Sequence, residues 1–231
     1  MWCFLPYLLF NLFINDLNEK LENDCILAFF ADDISILLSH KNFQTLVNKC
    51  NSKLEILYEW CKINSLYLNH SKTSFTRFRN SHLSDVNLEL CINEEPITNS
   101  TKTKFLGIWL EELGSWKTHC DELSSKLNSV IFQVRHLKSV LNFNQILLFY
   151  HAVVESRLRY GIRLWGSSAH ANRVFMVQKR IIRCIANIKQ QHSCREIFLK
   201  YRIMTLIELY ILDVSYIKIR TNSLSTQSLA V

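Results

Sequence analysis

Glycine and proline are scarce in this chain, which has 4 glycines and 2 prolines among 231 residues. Their scarcity excludes a flexible or Pro-rich linker and predicts elements that follow one another with few sharp turns. Hydrophobic residues make up 48% of the sequence, which supplies a buried core and argues against a disordered chain. The length fits one large domain or two small ones.

A hydrophobic run long enough to cross a membrane is also missing. Residues 1–14 are very apolar, but Asn11 interrupts them, and Asn15 and Asp16 follow. The run has no basic start and no small-residue cleavage site, and it is shorter than the roughly 20 apolar residues of a span. We therefore expect a buried helix, no membrane contact, and an intracellular protein of the nucleus or cytoplasm that is not secreted.

Paired cysteine motifs are absent, although the chain has 8 cysteines. No two of them form a Cys-x-x-Cys pair, which leaves a zinc ribbon without support. Most fall within apolar patterns typical of small buried hydrophobes, and we infer a reducing compartment. His119 and Cys120 are adjacent but lack partners at metal-ligand spacing, so we expect no zinc there.

The net charge of +7 is unevenly distributed along the chain. Residues 1–100 carry 8 Lys and Arg and 12 Asp and Glu, a net charge of −4, whereas residues 101–231 carry 19 and 8, a net charge of +11. An acidic half beside a basic half is typical of a metal-binding part next to a part that binds nucleic acid. A solvated basic helical surface would give the same distribution.

The hydrophobic periodicity predicts an α+β front half followed by an all-helical back half. In the front half we expect helices over residues 5–22 and 43–62, a β-hairpin over 25–38, strands over 73–78, 88–92 and 102–110, and a turn at 93–96. In the back half we expect helices over residues 116–137, 144–159, 172–188 and 203–219.

An adjacent pair of aspartates falls at the turn of the predicted hairpin. Apolar residues run up to Ala31 and resume at Ile34, with Asp32 and Asp33 between them. Two neighbouring carboxylates repel each other, and burial in an apolar ribbon would make their charge costly. Mg²⁺, a hard cation that prefers oxygen ligands, would neutralise them. The local sequence fits a solvent-exposed Asp-Asp turn equally well.

The residues before and after this aspartate pair resemble a series of motifs from one protein family. Residues 25–38 resemble the Phe/Tyr-Ala-Asp-Asp motif of reverse transcriptases, and residues 5–17 resemble the helix after the Gln-Gly-Ser loop in the enzymes of non-LTR (LINE-type) retrotransposons. Residues 60–73 are similar to their next palm motif, and residues 104–110 to their Phe-Leu-Gly hairpin. Residues 160–166 and 178–183 resemble the thumb and post-thumb region of jockey-type insect elements. The resemblance covers roughly residues 5–220.

This resemblance implies a partial polymerase palm over residues 1–112, an antiparallel sheet with helices, and a helical thumb-like region over residues 113–231. It implies an RNA-directed DNA polymerase, a nucleotidyltransferase that uses an RNA template, a DNA primer and deoxynucleoside triphosphates. Members of the family hold two Mg²⁺ ions with aspartates for in-line phosphoryl transfer. Asp32 and Asp33 match the hairpin pair of that site, which makes them the expected catalytic and metal-binding residues.

The resemblance also implies two positioning elements. Lys72 matches a lysine placed near the triphosphate; a lysine that satisfies carbonyl groups at a helix end is the alternative. Phe105, Leu106 and Gly107 would place the primer end by backbone contact, since glycine allows close approach; an ordinary bulged strand is the alternative.

A set of basic residues in the back half would contact phosphates along a duplex. Such contacts are independent of sequence and sensitive to salt. Arg180 and Arg183 are three residues apart and therefore share a helical face. The set consists of Arg157, Arg159, Arg163, Lys179, Arg180 and Arg183. A solvated helix face accounts for the same pattern.

The family's first catalytic aspartate, its fingers and its Gln-Gly-Ser loop would all precede residue 1. Asp16 and Asp24 match no catalytic position of the family. We therefore expect an N-terminally truncated reverse transcriptase that is inactive as an isolated chain. The alternative, from another class of function, is a non-catalytic nucleic-acid-binding module retained from a retrotransposon.

Overall fold

The computed structural model describes residues 5–21, 24–80, 88–189 and 191–227. The chain divides into two compact units, Met1–Thr101 and Lys102–Val231. Helices combine with short, mostly antiparallel strands, so the fold belongs to the α+β class predicted from the sequence. The division at residues 112 and 113 into palm and thumb stays a prediction.

The first unit carries its longest strands in a hairpin. Its described elements are α1 (Leu5–Leu21), β1 (Cys25–Phe30), β2 (Asp33–Leu38), α2 (Phe43–Ile63), β3 (Ser74–Phe75), β4 (Cys91–Ile92), β5 (Glu95–Pro96) and β6 (Thr98–Asn99). β1 pairs with β2 and β4 with β5 in antiparallel register, whereas β3 and β6 are parallel. The two predicted helices and the predicted hairpin are confirmed, although α2 extends one residue further than predicted and residue 22 lies outside the described residues. The expectation of a buried first helix is wrong, because α1 exposes Leu8, Leu9 and Leu12.

The other strands of this unit are shorter than predicted. Strands expected over residues 73–78 and 88–92 form only as β3 and β4, because each available partner strand is two residues long. Leu88 and Leu90 are buried, yet they belong to no strand, so burial alone produced the apolar pattern there. The turn at Asn93 and Glu94 joins β4 to β5 and does not lead directly to the strand expected at 102–110.

The core of the first unit lies between α1, α2 and the hairpin. Its buried side chains are Ile14, Leu17, Leu21, Leu57, Trp60 and Cys61. The Trp60 indole N–H donates to Oδ2 of Asp16 at 3.1 Å, which links the two helices through a partly buried polar pair. Asn42 caps α2, since its side-chain oxygen accepts from the Thr45 backbone N–H at 3.0 Å.

The second unit combines one hairpin with helices. Its described elements are β7 (Lys102–Phe105), β8 (Ile108–Glu111), α3 (Lys117–Leu137), α4 (Phe143–Phe149), a π-helical segment (Tyr150–Glu155), α5 (Ser156–Arg159), α6 (Ile162–Trp165), α7 (Ala171–Ala186), α8 (Arg195–Lys200) and α9 (Leu206–Gln227). The four predicted helices are present with shifted ends. α6 and α8 were missed because they are too short to show a helical period.

Two predictions for this unit need correction. The single strand expected over residues 102–110 folds back on itself, with β7 and β8 paired antiparallel around Leu106 and Gly107. The helix expected over residues 144–159 contains the π-helical turn at Tyr150–Glu155, which periodicity does not predict. π-Helical turns inside α-helices occur frequently at functional sites.

A buried polar residue connects the core of the second unit. Gln178 on α7 is fully buried, and its Nε2 donates to the Tyr150 hydroxyl and to the Met204 carbonyl, each at 2.9 Å. The backbone N–H of Leu206 donates to Gln178 Oε1 at 2.9 Å. One amide therefore ties the π-helical segment and the start of α9 to α7. Burial raises the pKa of Tyr150, which keeps its hydroxyl protonated.

The seven cysteines in the described part of the chain are free. Cys61, Cys120 and Cys194 are buried as predicted, and burial raises the pKa of each thiol. Cys91 is exposed on β4 and departs from that pattern. Across the ranges that the structure describes, no helix combines the length and apolarity that crossing a membrane requires.

Replacing Gln178 with leucine tests the polar connection in the second unit. We expect Gln178→Leu to lower the free energy of unfolding by about 2–3 kcal/mol, because three polar groups lose their partner inside the core. Urea denaturation followed by circular dichroism measures this change. The control Gln133→Leu, at an exposed position of α3, should stay within about 0.5 kcal/mol of the unchanged protein. Equal effects of the two changes would contradict the role given to Gln178.

Candidate functional site

Asp32 and Asp33 lie at the tip of the β1–β2 hairpin. Phe30 pairs with Asp33, so Ala31 and Asp32 form a two-residue turn. Both aspartate side chains are exposed to solvent. The structure therefore has the solvent-exposed Asp-Asp turn, and the ribbon that carries it is only partly buried instead of buried as expected; metal binding by the pair stays a prediction. Exposure leaves both carboxylates accessible to a cation or a substrate.

The ribbon is buried on one face only. Side chains alternate across its plane, and Leu27, Phe29 and Ile34 pack against the core of α1 and α2. Paired residues of antiparallel strands share a face, so Asp33 lies with Phe30 on the outer face. Phe30 is 60% exposed on that face, and Ile26 at its far end is 67% exposed. The carboxylate of Asp33 therefore borders an uncovered apolar surface.

The turn contains a strained residue. Ala31 has a φ of +52°, in the left-handed region that glycine adopts most readily. Two-residue hairpin turns need a positive φ at their first central position, which explains this conformation. An L-residue there costs about 1–2 kcal/mol. The packed inner face of the ribbon holds the turn despite that cost.

The donor set at the tip fits a hard divalent cation in kind, because carboxylate oxygens are the ligands that Mg²⁺ prefers. The tip offers only a few such ligands. Within the ranges that the structure describes, no three His, Cys, Asp or Glu side chains are grouped so that they could hold a metal ion. The hairpin tip therefore offers two carboxylates, those of Asp32 and Asp33, and their role as metal ligands stays a prediction.

Lys72 lies in a tight turn with an exposed side chain. Its backbone N–H donates to the carbonyl of Asn69 at 3.1 Å and to its Oδ1 at 3.2 Å, and the Ser71 hydroxyl donates to the same Oδ1 at 2.7 Å. Helix α2 ends well before this turn, at Ile63. The alternative in which Lys72 satisfies carbonyl groups at a helix end is therefore wrong, whereas its role near a triphosphate stays a prediction.

Phe105, Leu106 and Gly107 form the tip of the β7–β8 hairpin. Leu106 and Gly107 have φ values of +46° and +82°, and Phe105 pairs with Ile108. Positive φ at both central residues is typical of the tight hairpin turn that matches strand twist. The alternative of an ordinary bulged strand is therefore wrong. The role of these residues in placing a primer stays a prediction.

The residue pair Tyr160–Gly161 holds this turn and was missed as a functional element. The Tyr160 hydroxyl donates to the Leu106 carbonyl at 2.5 Å. Gly161 lies so close to β8 that a Cβ atom would meet Cδ1 of Ile108 at 2.4 Å. Both residues lie in the stretch that resembles the thumb motif, and this resemblance is the feature of the sequence that could have identified them. The pair locks the hairpin tip against the end of α5.

The predicted phosphate-contacting residues differ in how they are held. Arg159 donates to Glu155 at 2.8 Å and Arg163 to Asp213 at 2.6 Å. The Arg183 guanidinium approaches the His192 carbonyl at 3.4 Å, and the Lys179 ammonium lies 4.1 Å from the centre of the Phe175 ring. Two members of the set, Arg157 and Arg180, have no side-chain ion pair, hydrogen bond or ring contact with the residues that the structure describes. These two keep their charge available for a ligand.

Relieving the strain at the aspartate turn gives a direct check on its geometry. We expect Ala31→Gly to raise the free energy of unfolding of the first unit by about 0.5–1 kcal/mol, since glycine adopts positive φ without steric cost. The control Ala28→Gly, inside β1, should lower it by about 0.5–1 kcal/mol. Thermal unfolding of the three proteins measures both changes. Destabilisation by both substitutions would refute the left-handed conformation of Ala31.

Comparison with known proteins identifies the family that both hairpins resemble. The family model for reverse transcriptase (RNA-dependent DNA polymerase) matches residues 6–110, which include the Asp32–Asp33 hairpin and the hairpin around Gly107. No solved structure matches the chain.

Among curated proteins, a probable RNA-directed DNA polymerase from transposon BS of Drosophila melanogaster is 28% identical over 70% of this chain and 18% of its own length. The RNA-directed DNA polymerases from the mobile element jockey of Drosophila funebris and of Drosophila melanogaster are each 22% identical, over 76% and 82% of this chain and 20% and 22% of their own lengths. The chain thus spans about a fifth of the length of these relatives. These matches confirm the resemblance drawn from the motifs: residues 6–110 match the reverse transcriptase family, and the chain is similar to the RNA-directed DNA polymerases of jockey-type mobile elements.

Proposed function

We propose that this chain takes part in RNA-directed DNA synthesis, with Asp32 and Asp33 as the metal-binding carboxylates. The observation that carries the proposal is the placement of both aspartates at an exposed hairpin tip inside the matched reverse transcriptase region. The reaction class is nucleotidyl transfer to a DNA primer on an RNA template. In this proposal residues 1–112 form the partial palm and residues 113–231 the thumb-like region.

Asp32 and Asp33 would hold Mg²⁺ through their carboxylate oxygens. Mg²⁺, when bound, lowers the cost of charge on the transferring phosphoryl group and favours deprotonation of the primer hydroxyl. The protein's own contribution is positional. The inner face of the ribbon anchors the turn, and the exposed tip leaves room for a primer end and a triphosphate beside the carboxylates.

Two carboxylates give a weak site, and tight binding of two ions requires a further acidic ligand. The ribbon could receive this ligand from another strand that pairs with one of its edges. Within the described part of the chain, β1 and β2 pair only with each other, so both outer edges offer free backbone N–H and C=O groups. An added strand at one of these edges would extend the sheet and place its own carboxylate beside Asp32 and Asp33. We propose this arrangement for the active polymerase.

The second unit would contact the nucleic acid. The Leu106–Gly107 turn offers backbone groups at a rigid tip, and glycine lets another molecule approach closely. Arg157 and Arg180 would bind phosphates directly, since neither has a side-chain ion pair, hydrogen bond or ring contact with the described residues. Arg159 and Arg163 would first have to leave Glu155 and Asp213, so we expect their contribution to be smaller.

Divalent-cation binding tests the proposal at the carboxylates. Mn²⁺, used as a paramagnetic probe, should bind the chain with a dissociation constant on the order of millimolar, because only two side chains ligate it. Asp32→Asn and Asp33→Asn should each weaken binding several-fold, measured by electron paramagnetic resonance. The control Asp24→Asn removes an exposed carboxylate that pairs with Lys49 at 2.6 Å, and it should leave binding unchanged. Equal effects of all three changes would contradict a site at the hairpin tip.

A non-catalytic nucleic-acid-binding module is the second candidate function, favoured by the available charge of Arg157 and Arg180. In either case the chain should bind an RNA–DNA duplex with an affinity that falls steeply as salt rises. Arg180→Ala should reduce the slope of log affinity against log salt by about one, as expected for one lost phosphate contact. Fluorescence anisotropy with a labelled duplex measures this slope. An unchanged slope would show that Arg180 is a solvated surface residue. Duplex binding that requires no metal ion would favour the non-catalytic module.

A further inference from the structure

A half-open cavity of about 310 Å³ lies at the surface of the second unit, beside Gly107 at the tip of the β7–β8 hairpin. α3 contributes His119, Glu122 and Lys126 to its wall, α5 contributes Arg157, and Gly107 lies at the hairpin end. The volume falls at the lower end of the range for small-molecule sites and exceeds what one buried water fills. Gly107 and Arg157 belong to the proposed nucleic-acid contacts, whereas His119, Glu122 and Lys126 have no part in them.

His119 gives the first sign of a ligand. Its side chain is 7% exposed, and its Nε2 is a buried nitrogen without a hydrogen-bond partner among the described residues. Buried polar atoms are nearly always hydrogen-bonded, and an exception calls for a missing partner. Burial lowers the pKa of His119, so the imidazole is neutral at pH 7 and one ring nitrogen carries a proton to donate. The ring is fixed next to Trp165, with 5.5 Å between the ring centroids.

The charges around the cavity give the second sign. Glu122 accepts from Lys126 at 2.5 Å, from Lys104 at 3.0 Å and from the Trp109 indole, so two cations already neutralise its carboxylate. Hydrogen bonds from both lysines hold the pKa of Glu122 below its usual value. Arg157 has no such partner among the described residues. The wall therefore has an excess of positive charge, and one arginine has its hydrogen-bond donors available.

We propose that this cavity binds a phosphate group carried by a nucleotide or a nucleotide strand. A phosphate presents several acceptor oxygens in a tetrahedron, so it can accept from the Arg157 guanidinium and from His119 Nε2–H at once. It also satisfies the orphaned imidazole nitrogen and balances the excess charge. The remaining volume accommodates part of the attached nucleoside. The source of the phosphate, a strand or a free nucleotide, rests on the proposed contact with nucleic acid, whereas the site itself does not.

Calorimetric titration of the 231-residue chain tests the site with three probes: inorganic phosphate, thymidine 5′-monophosphate and an RNA–DNA duplex. We expect Arg157→Ala to weaken binding of the nucleotide at least tenfold. His119→Leu should do the same, whereas His119→Gln, which keeps a donor close to the Nε2 position, should retain affinity within about threefold of the unchanged protein. The matched control Arg135→Ala removes an exposed arginine at another place on α3 and should change nothing.

The outcomes separate this proposal from the polymerase proposal. Nucleotide affinity that is unaffected by Arg157→Ala and His119→Leu, in variants that melt at the temperature of the unchanged chain, would overturn the phosphate site. Nucleotide affinity lost in those variants supports it, even where the hairpin aspartates bind no Mn²⁺. Competition between the nucleotide and the duplex assigns the phosphate to a strand. Nucleotide binding without competition assigns it to a free nucleotide.

Discussion

The register of the β1–β2 ribbon is the constraint on which the candidate site depends. Leu27 and Phe29 on one strand and Ile34 on the other pack against the core of α1 and α2. A slip of one residue would turn these side chains to solvent and move Asp33 toward the core face. Burial of the inner face thus fixes Asp33 opposite Phe30 and leaves Asp32 in the turn. The position of both carboxylates follows from apolar packing on the opposite face.

A second hairpin is constrained in another way. Its turn has a leucine in the left-handed region, and its strands are only four residues long. The Tyr160 hydroxyl and the close approach of Gly161 hold it from the end of α5. In both hairpins a non-glycine residue is strained at the tip, and surrounding packing keeps it there. Such backbone strain persists where the packing of the surrounding residues holds the conformation in place, and it is concentrated at functional sites.

Much of this arrangement could be predicted from the sequence. Apolar residues up to Ala31 and from Ile34 onward predict the first hairpin, and the helical period predicts α2, α3 and α7. The short strands β3 and β4 could not be predicted in length, because their ends depend on partner strands that are distant in sequence. The sequence also does not predict whether Asp32 and Asp33 are exposed, since apolar flanking residues do not show whether one face of the ribbon or both are covered by other elements.

The phosphate cavity could not be predicted as a site, although the sequence places Arg157 among the residues expected to contact phosphates. His119 lies on α3, Arg157 on α5 and Gly107 on the second hairpin, and no local pattern brings these segments together. The sequence shows His119 only as a neighbour of Cys120, without partners at metal-ligand spacing. Its unpartnered nitrogen is a property of the packed helices. The packing of the helices also determines that Arg157 has no ion pair with the described residues, whereas Arg159, two positions later, pairs with Glu155.

The central claim is that Asp32 and Asp33 act as metal ligands at the hairpin tip. A crystal of the chain with an RNA–DNA primer–template, soaked in Mn²⁺, tests it most directly through anomalous scattering. The account predicts an anomalous peak within coordination distance, about 2.0–2.2 Å, of carboxylate oxygens of both aspartates. Anomalous peaks elsewhere, with none at the hairpin tip, would contradict it.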